Sequence, residues 1–153
     1  MTEAIRQGDI PGVQLRRRQV VPLPPEEAWR WLTEPEKLEL WLANEAEVQA
    51  GAGGSLELRG ASGHERGRTL ERVPPQRWVM AFERLDAGWT SATHLEIQLH
   101  PAPGGCEVDV LQHGFQRLPL STGLTVWESY RLRWKTALAR LAEAVSAPIP
   151  PAA

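Results

Sequence analysis

TGLTVWESYRLRWKTALARLAEAVSA, Thr122 to Ala147, is the one long segment of this chain with sustained helical periodicity. Leu124, Trp127, Arg131, Trp134, Leu138, Leu141 and Val145 recur at spacings of three and four, which places them on one stripe. Glu128, Arg133, Lys135, Thr136, Arg140 and Glu143 give the opposite face its polarity. A helix of this length is about 39 Å long, enough to cross a whole small domain. Thr125-Val126-Trp127-Glu128 reads as a capping box, which predicts that regular helix begins at Val126 and leaves 116–125 as a loop. The rest of the chain must supply the surface on which this helix lies.

That surface is legible upstream. Val13 to Val21 reads as a first strand, ended by Pro22 and Pro24-Pro25. Pro25 followed by Glu26 and Glu27 starts a short helix, because proline suits the first helical position and carboxylates suit the positive end of the dipole. Thr33-Glu34-Pro35-Glu36 reads as a capping box that restarts the chain as a second short helix through Leu42. From Glu45 the period changes to two, with turns at GAGG (51–54), Gly60 to Gly63, Pro74-Pro75, Asp86 to Gly88 and PAPGG (101–105). Trp78, Met80 and Phe82 share one strand face; so do Leu95, Ile97 and Leu99, and Cys106, Val108, Val110 and Gln112. Six strands joined by short turns form an antiparallel meander. The expected fold is therefore α+β: a curved antiparallel sheet of about seven strands gripping a long C-terminal helix, with two short helices after strand 1. Residues 1–12 are expected to be a flexible arm, 13–147 a single domain and 148–153 a flexible proline-rich tail.

Bulk composition narrows the function. A net charge of −2 gives no basis for nucleic-acid binding, and Arg16-Arg17-Arg18 reads as a solvated strand edge. A lone Cys106 excludes an intrachain disulfide and fits a reducing compartment. No apolar run approaches the roughly 18 residues of a membrane span, so a cytoplasmic protein without membrane insertion is expected. Nucleophile-elbow, P-loop, zinc-protease and paired-cysteine motifs are absent, and GAGG lacks the following helix of a phosphate cradle. His64, His94, His100 and His113 do not converge as a metal set would. No metal and no cofactor are expected, and an enzyme is the less favoured outcome. Trp, however, supplies seven of the ten aromatic residues, and it commonly lines sites that are apolar with one wet end.

Several runs together resemble a known family. VPLPPEEAWRWLTEPEKLELWL, GAGGSLEL, HERGRTLERVPPQRWVMAFE, THLEIQLHPAPGGCEVDVLQHGF and RWKTALARLAEAV, in this order, are similar to the activator-of-Hsp90-ATPase-homologue-like family of the START-like (SRPBCC) superfamily. The resemblance runs from about Gln14 to Val145 and implies the helix-grip fold. It also implies a hydrophobic or aromatic small molecule held between the sheet and the long helix, as in carriers, sequestering proteins and polyketide cyclases. Alignment on Gly114-Phe115 puts Gln112 where many members have a histidine. The expected ligand-facing set is Trp41, Trp78, Met80, Phe82, Leu95, Ile97, Val108, Val110, Gln112, Phe115, Trp127, Tyr130, Arg131 and Trp134. Gln112, the Tyr130 hydroxyl and Arg131 supply its polar contacts, Arg131 by snorkelling to the rim or by pairing with an anionic ligand group. A cyclase-like or hydrolase-like enzyme using the same pocket, a chaperone-regulating interaction module and a homodimer stand as alternatives.

Overall fold

The computed structural model describes residues 8–49, 53–61 and 63–146. The expected arm up to residue 7, the tail 148–153, residues 51 and 52 of the first glycine turn and Ser62 lie outside the described residues. The chain runs β1 (Gln14–Val21), α1 (Pro25–Thr33), α2 (Pro35–Trp41), β2 (Glu45–Gln49), β3 (Ser55–Gly60), β4 (Gly63–Val73), β5 (Arg77–Arg84), β6 (Thr93–Ala102), β7 (Gly105–His113) and α3 (Leu120–Ser146). One seven-stranded sheet takes the order β1-β7-β6-β5-β4-β3-β2, with every neighbouring pair antiparallel. β2 to β7 form the expected meander, and β1 closes against its last strand. The helix-grip architecture follows as expected.

Local sequence explains the joints. Pro25 and Pro35 both occupy early helical positions, with Pro24 and Glu34 as the caps. The expected capping box at Thr33 does not form: the Thr33 hydroxyl donates back to the carbonyl of Trp29, inside α1. Only backbone geometry and Pro35 restart the helix. In β4 the register slips between Thr69 and Glu71, so Leu70 is an extra residue of the bulge and stands exposed. Such a bulge bends its strand and raises the local twist, which helps the sheet curl around α3. At the opposite edge Gly105 lets β7 meet β1 closely, since a Cβ there would fall 1.9 Å from the carbonyl oxygen of Val21.

The start of α3 departs from expectation. Phe115–Arg117 forms a turn of 3-10 helix, and α3 begins at Leu120, six residues before Val126. Pro119 supplies the opening carbonyl, to which the backbone N–H groups of Thr122 and Gly123 donate. Gly123 eases this start, since a Cβ there would sit a tight 3.0 Å from the Phe115 carbonyl oxygen. Close approach to the preceding turn, a tertiary requirement, outweighs the intrinsic cost of glycine in a helix. Leu124, expected on the inner stripe, is 56% exposed. Trp127, Tyr130, Trp134, Ala137, Leu138 and Leu141 form the buried face instead.

On the outer face of the sheet, His94 and His113 pair across β6 and β7, with rings stacked 4.4 Å apart. Burial first, then the charges of His94 and Arg117, hold His113 below the ordinary histidine value, with Glu96 opposing. The unfolded chain therefore takes up this proton more readily than the folded one. Stability from this group is complete above the unfolded value of about 6.5 and is lost as the pH falls below it through the lower folded value. Urea titrations at about pH 7.5 and about pH 5.5 should show a smaller loss of stability on acidification for His113→Gln than for the parent. An unchanged pH difference would refute the assignment.

Candidate functional site

The residues expected to face a ligand do converge, and they meet one another. Trp78, Met80, Phe82, Leu95, Ile97, Val108, Val110 and Phe115 point inward from the sheet side onto Trp127, Tyr130 and Trp134, all of them buried. The residual void among Trp41, Trp78, Phe82, Leu95, Ile97 and Trp134 is about 10 Å³. One water needs at least that much room, so this interior is a packed core. Its polar atoms are used up internally. The Trp134 indole donates to Gln112 Oε1 at 2.8 Å, Gln112 Nε2 donates to Thr93 Oγ1 at 2.9 Å, and Thr93 donates to the Phe82 carbonyl at 2.8 Å. Gln112 thus orients a core hydrogen-bond chain. Trp127 donates to the Gln14 carbonyl at 2.8 Å and thereby fastens α3 to β1.

Arg131 also finds its anion within the chain. Its Nε donates to Asp9 Oδ2 at 3.1 Å. Asp9 is almost wholly buried, and it also receives Arg17 Nη1 on both oxygens and the backbone N–H of Arg16. Two expectations change together. Arg17 lies on the inner side of β1 and is not part of a solvated edge, and Asp9, in the stretch read as an arm, is a pinned structural residue. Arg16 and Arg18, on the outer face, reach Asp109 of β7.

The open space lies to one side of the core. A cleft of about 510 Å³ runs between the end of α2, the β3–β4 turn and the flank of α3. Trp41, Leu42 and Ala43 form one wall, Gly60 and Ala61 the second, and Ser129, Leu132, Arg133, Thr136, Ala137 and Arg140 the third. Of the expected ligand-facing residues, Trp41 alone lines it. Its indole N–H donates to the Trp31 carbonyl at 3.0 Å, which fixes the ring as wall. Gly60 keeps the second wall thin: a Cβ there would fall 2.7 Å from Asn44 Oδ1. Leu40 and Leu132, 61% and 64% exposed, flank the opening.

Glu65 is the buried charged group at this cleft, 1% exposed. Arg133 forks onto it, with Nη1 to Oε2 at 2.5 Å and Nη2 to Oε1 at 2.6 Å. The Tyr130 hydroxyl donates to Oε2 at 2.5 Å. Burial pushes the Glu65 carboxyl above its ordinary range, against the pull of Arg133 and Tyr130. Burial and the adjacent carboxylate push the Tyr130 phenol up as well. Phe82, Trp89 and Phe115 surround the Tyr130 ring, and the Arg133 guanidinium lies over Tyr130 and Trp134. Sequence reading missed Glu65 and Arg133 because each is ordinarily a surface residue. A parity signal existed: His64, Arg66 and Arg68 claim one face of β4, leaving Glu65 with Gly67 on the other.

Removing one partner strands the other charge, at a cost of about 3–5 kcal/mol. Glu65→Gln should therefore lower Tm by on the order of 10 °C. Joint replacement by Glu65→Met with Arg133→Met should recover a large part of that loss in calorimetry. A Glu65→Gln protein as stable as the parent would show that the pair does not hold the helix.

The model of the family described as Activator of Hsp90 ATPase homolog 1-like protein matches residues 22–146. Among solved structures, a Chromobacterium violaceum protein is 28% identical over 88% of this chain and 98% of its own, with a TM-score of 0.70. The Aha1 dimer of Colwellia psychrerythraea, a solution structure, is 19% identical over 87% and 96% of the two chains, with a TM-score of 0.70. An Hsp90 activator from Plasmodium falciparum is 18% identical over 87% and 95%, with a TM-score of 0.71. No curated protein matches. The chain belongs to the Activator of Hsp90 ATPase homolog 1-like family, within the START-like (SRPBCC) helix-grip superfamily.

Proposed function

We propose that this protein binds an amphipathic small molecule in the cleft between α2, the β3–β4 turn and α3. The observation that carries the reading is the contrast between two spaces beside the long helix among the described residues. The central one is filled to about 10 Å³, and the lateral one is open at about 510 Å³. A volume in the latter range suits a small organic ligand. Its walls combine apolar side chains (Trp41, Leu42, Leu132, Ala137) with hydroxyl, amide and guanidinium groups (Ser129, Thr136, Asn44, Arg140). On this reading the hydrophobic ligand expected from the family resemblance lies beside the core, against the same helix.

The charged floor favours binding over catalysis. Both oxygens of Glu65 are engaged by Arg133, and one also accepts from Tyr130. A general base must have a lone pair aimed at substrate, and here the engaged groups serve one another. A hydrolase-like use of the cleft would require a substrate that breaks the fork.

Thr136 is exposed and points into the cleft from α3. Thr136→Trp should fill the space at little cost to the fold, since exposed positions tolerate substitution within about 0.5 kcal/mol. Native mass spectrometry after incubation with a metabolite extract of the host should show a bound small molecule on the parent chain and none on the variant. Equal retention by both, or by neither, would overturn the reading.

A further inference from the structure

We infer that the ligand of this cleft is an amphiphile with an anionic head, a carboxylate or sulfonate, received by Arg140. The inference rests on the binding reading above and concerns which chemistry the cleft accepts.

Ser129, Arg133, Thr136 and Arg140 follow one another at spacings of four, three and four, so they form a polar stripe along α3, and all four line the cleft. The two arginines stand two turns apart, about 10 Å along the axis. Their situations differ. Arg133 is neutralised by the fork on Glu65. Arg140 is exposed, and among the described residues it has neither a hydrogen bond nor an ion pair. The remaining charged group of the lining, Glu39, already accepts the backbone N–H of Ala46 at 3.1 Å through Oε2. An uncommitted guanidinium at the wall of a partly apolar cleft is a receptor for a planar anion.

A second observation is that the same polar stripe carries another donor without an acceptor. Arg133 is nine-tenths buried beside the cleft, yet its Nε–H has no hydrogen-bond partner among the described residues. A buried donor left unpaired is costly, and an acceptor atom in the cleft would relieve it. The apolar body of the ligand then lies along Leu132, Ala137 and Trp41, with Leu40 at the opening. A neutral or cationic head would leave Arg140 unanswered or repelled.

The test compares two probes with nearly the same aromatic body, the anionic 8-anilinonaphthalene-1-sulfonate and the neutral N-phenyl-1-naphthylamine. Each is followed by fluorescence titration against the full chain. The anion should bind at least about tenfold tighter, a difference of the size a charged hydrogen bond supplies. Arg140→Gln should abolish that preference by weakening the anion more than the neutral probe, and Arg140→Lys should retain part of it. Equal affinities for the two probes, or an Arg140→Gln variant that keeps the preference, would overturn the anionic head and leave the cleft reading standing. Absence of binding by both probes, or their undiminished binding to Thr136→Trp, would overturn the cleft reading and this inference with it.

Discussion

Two buried carboxylates hold the long helix from opposite sides, and the rest of the molecule is arranged around that constraint. Glu65, on β4, takes the hydroxyl of Tyr130 and both terminal nitrogens of Arg133. Asp9, ahead of β1, takes Arg131 and Arg17. Arg131 and Arg133 are two positions apart on α3 and so project to opposite flanks. Between them lie Trp127, Tyr130 and Trp134, pressed into the sheet. Buried ion pairs are poor sources of net stability but severe penalties when mismatched. Their effect here is therefore best read as alignment: the helix can settle in one rotation and one axial position, where both carboxylates are met.

Fixing the helix in this way also fixes where space is left. The tryptophans and the sheet side chains interlock until the centre is filled, and the indole of Trp134 is held by Gln112 and, through it, by Thr93. The flank of α3 that carries Arg133, Thr136 and Arg140 then stands off from α2 and the β3–β4 turn, and that gap is the cleft. Glu65 thus has two consequences from one position. It anchors the helix, and it consumes the charge of Arg133, which leaves Arg140 as the cleft cation without an anionic partner among the described residues.

The family resemblance was informative about architecture, and the proposed cleft lies to one side of the expected ligand-facing set. Trp41 is common to the expected ligand-facing set and to the cleft. Arg131 of that set is half-exposed and pairs with Asp9, and the others are buried in the core, where the side chains that converge on the curved sheet fill it. Membership of the family brings the fold with it, and fold alone does not fix the chemistry.

The strand faces, the two proline-started helices, the meander and the amphipathic run of the last helix are all legible in the chain before it folds. Each of these follows from local rules: a period of two or near four, and the restricted backbone of proline and glycine. Tertiary structure alone decided three further things. The first residues of α3 are helical, closed on the Pro119 carbonyl with Gly123 close to the Phe115 carbonyl, although the local pattern put a cap at Thr125. Glu65 and Asp9 are buried because arginines from α3 arrive opposite them, and no local pattern announces a partner more than sixty residues away. The cleft lies beside the core because packing volumes, which only the assembled chain expresses, closed the centre and left the flank open.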